Sequence, residues 1–107
     1  MILYLSGPIS GSLFYGLTFG ASSFCLGVGK GHTILNPANL PKGLKDYEDY
    51  MRIGFAMIDA ADAIVMLDGW KNSEGAKREL KYAILHRKKV YFGADSVPAK
   101  RDRRTVP

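Results

Sequence analysis

The sequence predicts an α/β domain in which a short parallel sheet is covered by helices on both faces. Short apolar runs suited to buried strands alternate with longer segments whose apolar residues recur at helical spacing. Clusters of Gly, Pro, Asn and Asp separate the two kinds of segment, as turns require. Alternation of this kind is typical of parallel strands joined by right-handed helical crossovers. The 107 residues, 47% hydrophobic and 23% charged, are enough for one globular domain with one core.

The first third of the chain predicts two strands joined by a helix. The apolar run Ile2 to Leu5 is a strand, and the Gly- and Pro-containing segment Ser6 to Ser12 is a loop. A helix is expected from Leu13 to about Val28, where apolar residues recur at helical spacing. A second short strand over His32 to Leu35 ends at Asn36-Pro37, because proline disfavours its continuation.

The rest of the chain predicts a long loop followed by two helices and two strands. The loop spans Asn36 to Glu48, and loops of this length are often functional, so Leu40, Pro41 and Leu44 are expected to cover a pocket. The elements after it are a helix from the cap Asp49 to Ala60, a strand over Ala63 to Leu67, a helix over Ser73 to His86 and a strand over Lys89 to Gly93.

Together these elements predict a flavodoxin-like three-layer α/β/α fold with strand order 2-1-3-4. The domain is expected to span residues 1–97, and residues 98–107 form a basic tail that is expected to be mobile. In such sheets ligands bind beyond the carboxyl ends of the strands. That edge carries Ser6 to Ser12, Asn36-Pro37 and Asp68 to Gly75, which are therefore expected to form the site.

The composition argues against several classes of function. Cys25 stands alone, which excludes an internal disulfide, and it is best explained as a small core residue. His32 and His86 lack neighbours suited to a metal or a catalytic triad, so both are expected to be structural. No apolar run approaches the length of a membrane span and no basic leader is present, so a cytoplasmic protein is expected. We also expect neither a metal nor a cofactor. The net charge of +5 is concentrated in His86 to Lys89 and Lys100 to Arg104, which is a weak signal for nucleic acid.

The segment Asp68 to Glu79 is the most informative part of the chain. It leaves a predicted strand and enters a predicted helix, and Gly75 exposes the first N–H groups of that helix. Unpaired N–H groups and the helix dipole favour a bound anion at this point. Glu79 lies about one helical turn further on, so the sequence predicts a phosphate beside a carboxylate, which suggests nucleotide chemistry.

Several short runs also carry a family resemblance that covers the chain nearly to Gly93. The runs are Tyr4 to Gly11, Asn36-Pro37-Ala38, Tyr50-Met51, Asp62-Ala63-Ile64 and Gly69-Trp70-x-x-Ser73-x-Gly75-Ala76-x-x-Glu79. Together they resemble a small family of phage and bacterial proteins of unassigned function. That family is similar to the nucleoside 2-deoxyribosyltransferases and the 2′-deoxynucleoside 5′-monophosphate N-glycosidases. The Ser-x-Gly-x-x-x-Glu element is the most specific part of the resemblance.

The resemblance implies that Glu79 is a nucleophile that attacks the anomeric carbon of deoxyribose, with Tyr4 orienting the carboxylate through its hydroxyl. A carboxylate suits this chemistry, because it stabilises an oxocarbenium-like transition state and can form the covalent intermediate. Two plainer interpretations remain open at this stage. Glu79 is otherwise a solvated surface residue near Lys77, Arg78 and Lys81, and Tyr4 is otherwise a core aromatic of the first strand.

The resemblance also implies a 5′-monophosphate substrate, because Ser73 stands where the monophosphate enzymes have a phosphate-binding serine. The residues expected to contact the substrate are Ser6, Gly7, Ser10, Gly11, Asn36, Tyr50, Asp68, Trp70, Ser73 and Gly75, while Tyr47, Met51 and Phe55 are further candidates for the base pocket. For several of these a structural role is the alternative. Ser73 is also a good N-cap, Asp68 a turn residue, and Trp70 either stacks on a base or closes its loop.

Two positions depart from the enzymes that the chain resembles. Gly54, eight residues before Asp62, stands where those enzymes carry an acidic residue that helps to hold the sugar or base. Pro8 and Ser10 stand in place of a phosphate-binding serine and arginine, so either Arg52, Lys71 or a partner chain supplies the positive charge, or the substrate differs.

The function expected from these observations is hydrolysis of the N-glycosidic bond of a deoxynucleoside 5′-monophosphate, with deoxyribosyl transfer as a variant. A homodimer or larger homo-oligomer joined through the first two helices is expected, since the resemblance implies pockets completed across subunits. Two alternatives stay open: a non-catalytic module that binds or sequesters a nucleotide, and an accessory protein associated with nucleic acid through the basic tail.

Overall fold

The fold is built on a four-stranded parallel sheet. The computed structural model describes residues 1–8, 15–41, 43–44 and 46–99. The strands are β1 (Ile2–Ser6), β2 (Thr33–Leu35), β3 (Ala63–Met66) and β4 (Lys89–Phe92), in the order β2-β1-β3-β4. This confirms the predicted flavodoxin-like topology and strand order. Ser10, Gly11 and most of the basic tail lie outside the described residues, and the predictions for them stay predictions.

Three α-helices cover the sheet: α1 (Tyr15–Phe24), α2 (Tyr47–Ala60) and α3 (Glu74–Leu85). Short 3₁₀ turns follow strands β2, β3 and β4 at Pro37–Asn39, Trp70–Asn72 and Ala94–Ser96. The helix and strand predictions agree with the observed elements except at their ends and in α1. None of the helices in the described part of the chain is both long enough and apolar enough to cross a membrane.

The first helix differs from the continuous α-helix predicted to about Val28. Regular α-helix ends at Phe24 and continues as a π-helical turn over Cys25–Gly29, in which the N–H of Lys30 donates to the carbonyl of Cys25 at 3.0 Å. This wider turn places Leu26 in the core and leaves Cys25 exposed. The prediction of Cys25 as a core residue was therefore wrong, because periodicity alone did not reveal the change of helix type.

Helix α2 begins earlier than predicted. Asp46 precedes its first turn, and Asp49, predicted as the cap, lies within that turn. The Asp49 carboxylate reaches back to accept from the backbone N–H of Asp46 at 3.3 Å. Two acidic residues three positions apart are both plausible caps from sequence, and the structure selects the earlier one.

Alternation along β1 divides the core between the two faces of the sheet. Leu3 and Leu5 face a cluster that contains residues of α1 and the π-helical turn, whereas Tyr4 faces a second cluster that contains residues of α2 and α3. Since side chains two positions apart share a face of a strand, Ser6 lies on the same side as Tyr4. Both β1 hydroxyls therefore lie beneath α2 and α3.

Three polar residues outside the site have structural contacts, as the sequence predicted for His32 and His86. His32 is buried and lies with Nε2 2.6 Å from the carbonyl oxygen of Pro98. His86 stacks on the ring of Tyr82, with a centroid distance of 3.9 Å. The Asp62 carboxylate accepts from the backbone N–H of Ile2, the first residue of β1, at 2.7 Å.

Candidate active site

Glu79 is a buried carboxylate in the second turn of α3, only 7% exposed. The hydroxyl of Tyr4 donates to its Oε2, and the hydroxyl of Ser6 donates to its Oε1 at 2.7 Å. Tyr4 and Ser6 reach the same carboxylate because they share one face of β1. Glu79 is thus not the solvated surface residue considered above, and each of its oxygens accepts a hydrogen bond from the central part of the sheet.

Gly54 closes this carboxylate site from the α2 side. A Cβ atom added to Gly54 would lie 2.7 Å from Glu79 Oε2 and 3.0 Å from the Tyr4 hydroxyl oxygen. Contacts of 2.7 Å to a Cβ do not occur in packed proteins, so any side chain here would displace the pair. The space that a side chain at position 54 would need is thus occupied in this molecule by the Glu79 carboxylate and the Tyr4 hydroxyl.

Burial controls the ionisation of both buried partners. It raises the pKa of Glu79 above its ordinary value, while the hydrogen bonds from Tyr4 and Ser6 act in the opposite direction. Burial, followed by the charge of Glu79, raises the pKa of Tyr4 above its ordinary value. Tyr4 therefore stays protonated and remains a donor whenever Glu79 is ionised.

A cavity of about 860 Å³ opens in front of Glu79. A volume of this size is within the range of small-molecule sites. Its wall consists of Tyr4, Gly7, Pro8, Pro37, Ala38, Leu40, Pro41, Leu44, Asp46, Tyr47, Tyr50, Met51, Asn72, Ser73, Glu74, Gly75, Ala76, Arg78 and Glu79. The prediction that Leu40, Pro41 and Leu44 cover a pocket agrees with their place in this wall. We call Leu40, Pro41 and Leu44 together the roof.

The start of α3 forms one side of the cavity and includes Ser73 and Gly75, two of the residues predicted to contact the substrate. Ser73 is the N-cap of α3, since its hydroxyl accepts from the N–H of Ala76 at 3.2 Å, and it also lines the cavity. A Cβ on Gly75 would lie 3.1 Å from the hydroxyl of Tyr47 and 3.6 Å from the sulfur of Met51. The absence of a side chain at position 75 thus lets α2 approach the first turn of α3.

Tyr50 lines the cavity as predicted, but its hydroxyl has another use. It donates to the carbonyl of Pro41 at 2.7 Å and accepts from the N–H of Leu44 at 3.4 Å. The Tyr50 side chain lines the cavity, while its hydroxyl joins Pro41 and Leu44 of the roof to α2. Tyr50 is therefore an anchor of the roof as well as part of the wall.

Four other predicted contacts lie outside the wall that the described residues form. Ser6 is fully buried and bound to Glu79. Asn36 accepts from the N–H of Ala38 at 2.9 Å and caps the short turn that follows. Asp68 is exposed, and Trp70 packs against Phe92 with their ring centroids 5.6 Å apart. For Asp68 and Trp70 the structure favours the turn and loop-closing alternatives. Phe55, a further candidate, stacks on Tyr82 instead of lining the cavity.

Arg78 is a cavity residue that the sequence analysis did not single out. Its guanidinium donates to both carboxylate oxygens of Glu48, at 2.8 and 3.1 Å, and lies over the ring of Tyr47 at 5.5 Å. Arg52 is paired with Asp49, and Lys71 lies over Trp70, so neither cation proposed from sequence forms part of the wall. The signal in the sequence for Arg78 was its position three residues after Gly75, about one helical turn away.

The remaining charges of the wall are acidic. Asp46 and Glu74 line the cavity together with Glu79, and Arg78 is the one basic residue in the wall as described. Among the described ranges no group of His, Cys, Asp and Glu side chains is arranged to hold a metal ion.

Comparisons with known proteins agree with this fold. A family model described as "Domain of unknown function (DUF4406)" matches residues 1–92. No curated protein matches the chain. A solved structure of "2-desoxiribosyltransferase from Leishmania mexicana" is similar, with a TM-score of 0.65 and 22% sequence identity over 85% of this chain. The chain spans 62% of the length of that protein, so the similarity establishes the fold and leaves the activity to the site.

Proposed function

Since the chain belongs to a family of domains of unknown function (DUF4406), we propose its activity from the site itself. The proposed reaction is cleavage of the N-glycosidic bond of a deoxynucleoside 5′-monophosphate, with Glu79 as the nucleophile. The observation that carries this proposal is a buried carboxylate in the wall of a large cavity, held through both of its oxygens. A structural role alone does not require a charged group in the wall of a cavity of this size.

In the proposed reaction a carboxylate oxygen of Glu79 forms a bond to the anomeric carbon as the bond from that carbon to the base nitrogen breaks. The base leaves with the bonding electron pair and takes a proton from water. A second water then attacks the anomeric carbon, gives up its proton to solvent and releases Glu79. If another base attacks in place of this water, the outcome is deoxyribosyl transfer.

The surroundings of Glu79 suit this chemistry. A carboxylate in a site with little water stabilises the positive charge that develops on the sugar more strongly than it would in bulk solvent. The hydroxyls of Tyr4 and Ser6 fix its direction without neutralising it. Because the ionised form is the nucleophile and burial raises the pKa of Glu79, we expect activity to fall as the pH is lowered, and to do so at a higher pH than for an ordinary glutamate.

The cavity wall supplies groups for the rest of the nucleotide. The proline, leucine and tyrosine side chains of the roof and of α2 give an apolar surface for a base. The Ser73 hydroxyl and the N–H groups near Gly75 are the proposed phosphate contacts. Arg78 would add a positive charge on leaving Glu48.

A second candidate substrate is the nucleoside without its phosphate. The observation that favours it is the acidic wall, because Asp46 and Glu74 would oppose a phosphate dianion. The two substrate classes share the reaction at the anomeric carbon and differ only at the 5′ position, so one assay compares them.

The test is release of free base, measured by chromatography, from matched pairs of deoxynucleosides and their 5′-monophosphates, with the ribonucleotides as a third series. Glu79→Gln should abolish release, and Asp95→Asn, which changes an exposed carboxylate beyond β4, should not. Release that survives in Glu79→Gln would contradict the proposed nucleophile. Nucleotide binding without release would support the alternative of a non-catalytic binding module.

A further inference from the structure

We infer that Ser6 is a positioning residue for the nucleophile, holding one oxygen of Glu79 while Tyr4 holds the other. This inference rests on the proposed function of Glu79 and adds a residue that acts only through it. The hydroxyl of Ser6 lies 2.7 Å from Oε1, whereas the hydroxyl of Tyr4 contacts Oε2. The two donors therefore hold separate atoms of one carboxylate.

The backbone of Ser6 is fixed by the sheet. Ser6 is paired with Met66 of β3, and its carbonyl accepts from the N–H of Leu67 at 2.7 Å. Strand β1 lies between β2 and β3, so it is not an edge strand. A donor on such a strand keeps its direction better than one on a loop, which is what a positioned nucleophile requires.

Position relative to the cavity, not burial, separates the role of Ser6 from that of Tyr4, since both side chains are buried. Tyr4 belongs to the cavity wall. Ser6 is fully buried and stands behind Glu79, outside the wall formed by the described residues. Any effect of Ser6 on the reaction must pass through the carboxylate.

The hydroxyls of Tyr4 and Ser6, together with the nearby backbone of Gly54, fix the plane of the Glu79 carboxylate. With a single donor the group can turn about its last side-chain bond, a broad torsion that hydrogen bonds readily bias. A second donor on the other oxygen removes this freedom, and Gly54 leaves just enough space on the α2 side for Oε2. The arrangement holds Glu79 in one orientation before any substrate binds.

The hydroxyl of Ser6 also favours the ionised form of Glu79. Groups that face this carboxylate are Tyr4 and Ser6 from β1 and the backbone of Gly54 from α2, while the nearby Arg78 is paired with Glu48. Tyr4 is the one titratable group in hydrogen-bond contact with Glu79 in the part of the chain described. Loss of the Ser6 donor should therefore move the ionisation of Glu79 to higher pH.

The experiment compares Ser6→Ala, Ser6→Cys and Ser6→Thr with the wild type. Ser6→Ala should lower kcat by about tenfold to a hundredfold, the effect of losing one hydrogen bond to a charged group, and should leave KM within about twofold. The acid limb of its pH profile should move up by about one pH unit. Cysteine, a weak donor of similar size, should fall between alanine and serine, and threonine should restore kcat.

A second readout does not depend on turnover. The pKa of Glu79, followed by carbon NMR of carboxyl-labelled glutamate, should rise in Ser6→Ala and return toward the wild-type value in Ser6→Thr. An unchanged pKa and kcat in folded Ser6→Ala would overturn the inference. If Ser6→Ala does not fold, Ser6→Cys, whose side chain has a similar volume, decides the same question. A small rise in the pKa of Glu79 in Ser6→Cys would support the inference, and an unchanged pKa would overturn it.

The two proposals fail in different ways. Base release by the wild type, with no change of kcat or Glu79 pKa in the Ser6 variants, would leave the proposed function standing and overturn the role of Ser6. A rise in the pKa of Glu79 in Ser6→Ala, in a protein that releases no base from any substrate, would support the positioning role and overturn the proposed reaction.

Discussion

The floor and the mouth of the cavity are built in different ways. The floor is buried: Tyr4 and Glu79 line the cavity, Ser6 and Gly54 lie behind Glu79 outside the wall as described, and both carboxylate oxygens have a partner. The mouth is formed by the roof and by Arg78, whose side chain is 40% exposed and pairs with the 61% exposed Glu48. Exposed ion pairs contribute little to stability and rearrange readily. Buried hydrogen bonds to a charged group contribute more and keep their geometry. The difference suggests that the floor sets the reaction and the mouth selects the substrate.

The largest effect should come from breaking the floor at its centre. Glu79→Gln keeps the shape of the side chain but replaces one acceptor oxygen with an NH2 donor and removes the charge and the nucleophile. We expect base release to fall by more than about a thousandfold, since the other carboxylates of the wall, Asp46 and Glu74, are exposed and are not the ones held by Tyr4 and Ser6. Single-turnover chromatography measures this loss, and a residual rate within tenfold of the wild type would contradict it.

The same variant should change how stability depends on pH. Because the folded state raises the pKa of Glu79, it binds more protons than the unfolded state between the ordinary and the raised pKa. Wild-type stability should therefore fall as pH rises through that window, by about 1.4 kcal/mol for each pH unit by which the pKa is raised. Urea unfolding at a series of pH values should show this fall in the wild type and its absence in Glu79→Gln.

The next effect should come from filling the space beside the floor. Gly54→Ala places a methyl group 2.7 Å from Glu79 Oε2, so we expect activity to drop by about a hundredfold. Stability should also fall by about 1–3 kcal/mol, the usual cost of overpacking. Gly20→Ala in α1 is the matched control, because nothing lies within 4 Å of its added Cβ. That control should keep full activity, and an equal loss in both variants would contradict a specific contact at Gly54.

Changes at the mouth should be smaller and should separate the two substrate classes. If Arg78 binds phosphate, Arg78→Gln should raise KM for the 5′-monophosphate by about threefold to tenfold, and Glu48→Gln should lower it by freeing the guanidinium. Neither variant should change KM for the nucleoside. Equal shifts of KM for both substrates in both variants would instead indicate that the pair only joins α2 to α3.

The smallest effect is expected from the anchor of the roof. Tyr50→Phe removes the bonds to Pro41 and Leu44 but keeps the ring in the wall, so KM should rise by about twofold to fivefold with little change in kcat. Tyr82→Phe loses a hydroxyl that binds Asp59 away from the cavity and serves as the control. A larger fall in kcat than rise in KM would place Tyr50 in the chemistry instead.

Sequence reasoning predicted the fold well, because apolar runs, helical spacing and crossover geometry are properties of short segments. The topology β2-β1-β3-β4 follows from these rules and the structure confirms it. The change of helix type at Cys25 and the earlier start of α2 depend on local hydrogen bonds that compete closely, so periodicity did not reveal them.

The site was predictable in part. The neighbourhood of Tyr4, Ser73, Gly75 and Glu79 followed from a family resemblance, and the structure brings these residues to one cavity. The contact of Ser6 with Glu79 joins positions 73 residues apart, and no pattern in the sequence specifies such a distance. The pairing of Arg78 with Glu48 joins positions 30 residues apart and was missed for the same reason.

The fit of Glu79 against Gly54 couples the two positions. A side chain gained at position 54 would push the Glu79 carboxylate out of its present place unless α2 moved away from α3 at the same time. A carboxylate grafted onto position 54 is therefore expected to be accepted more readily in a background where the distance between α2 and α3 has already increased.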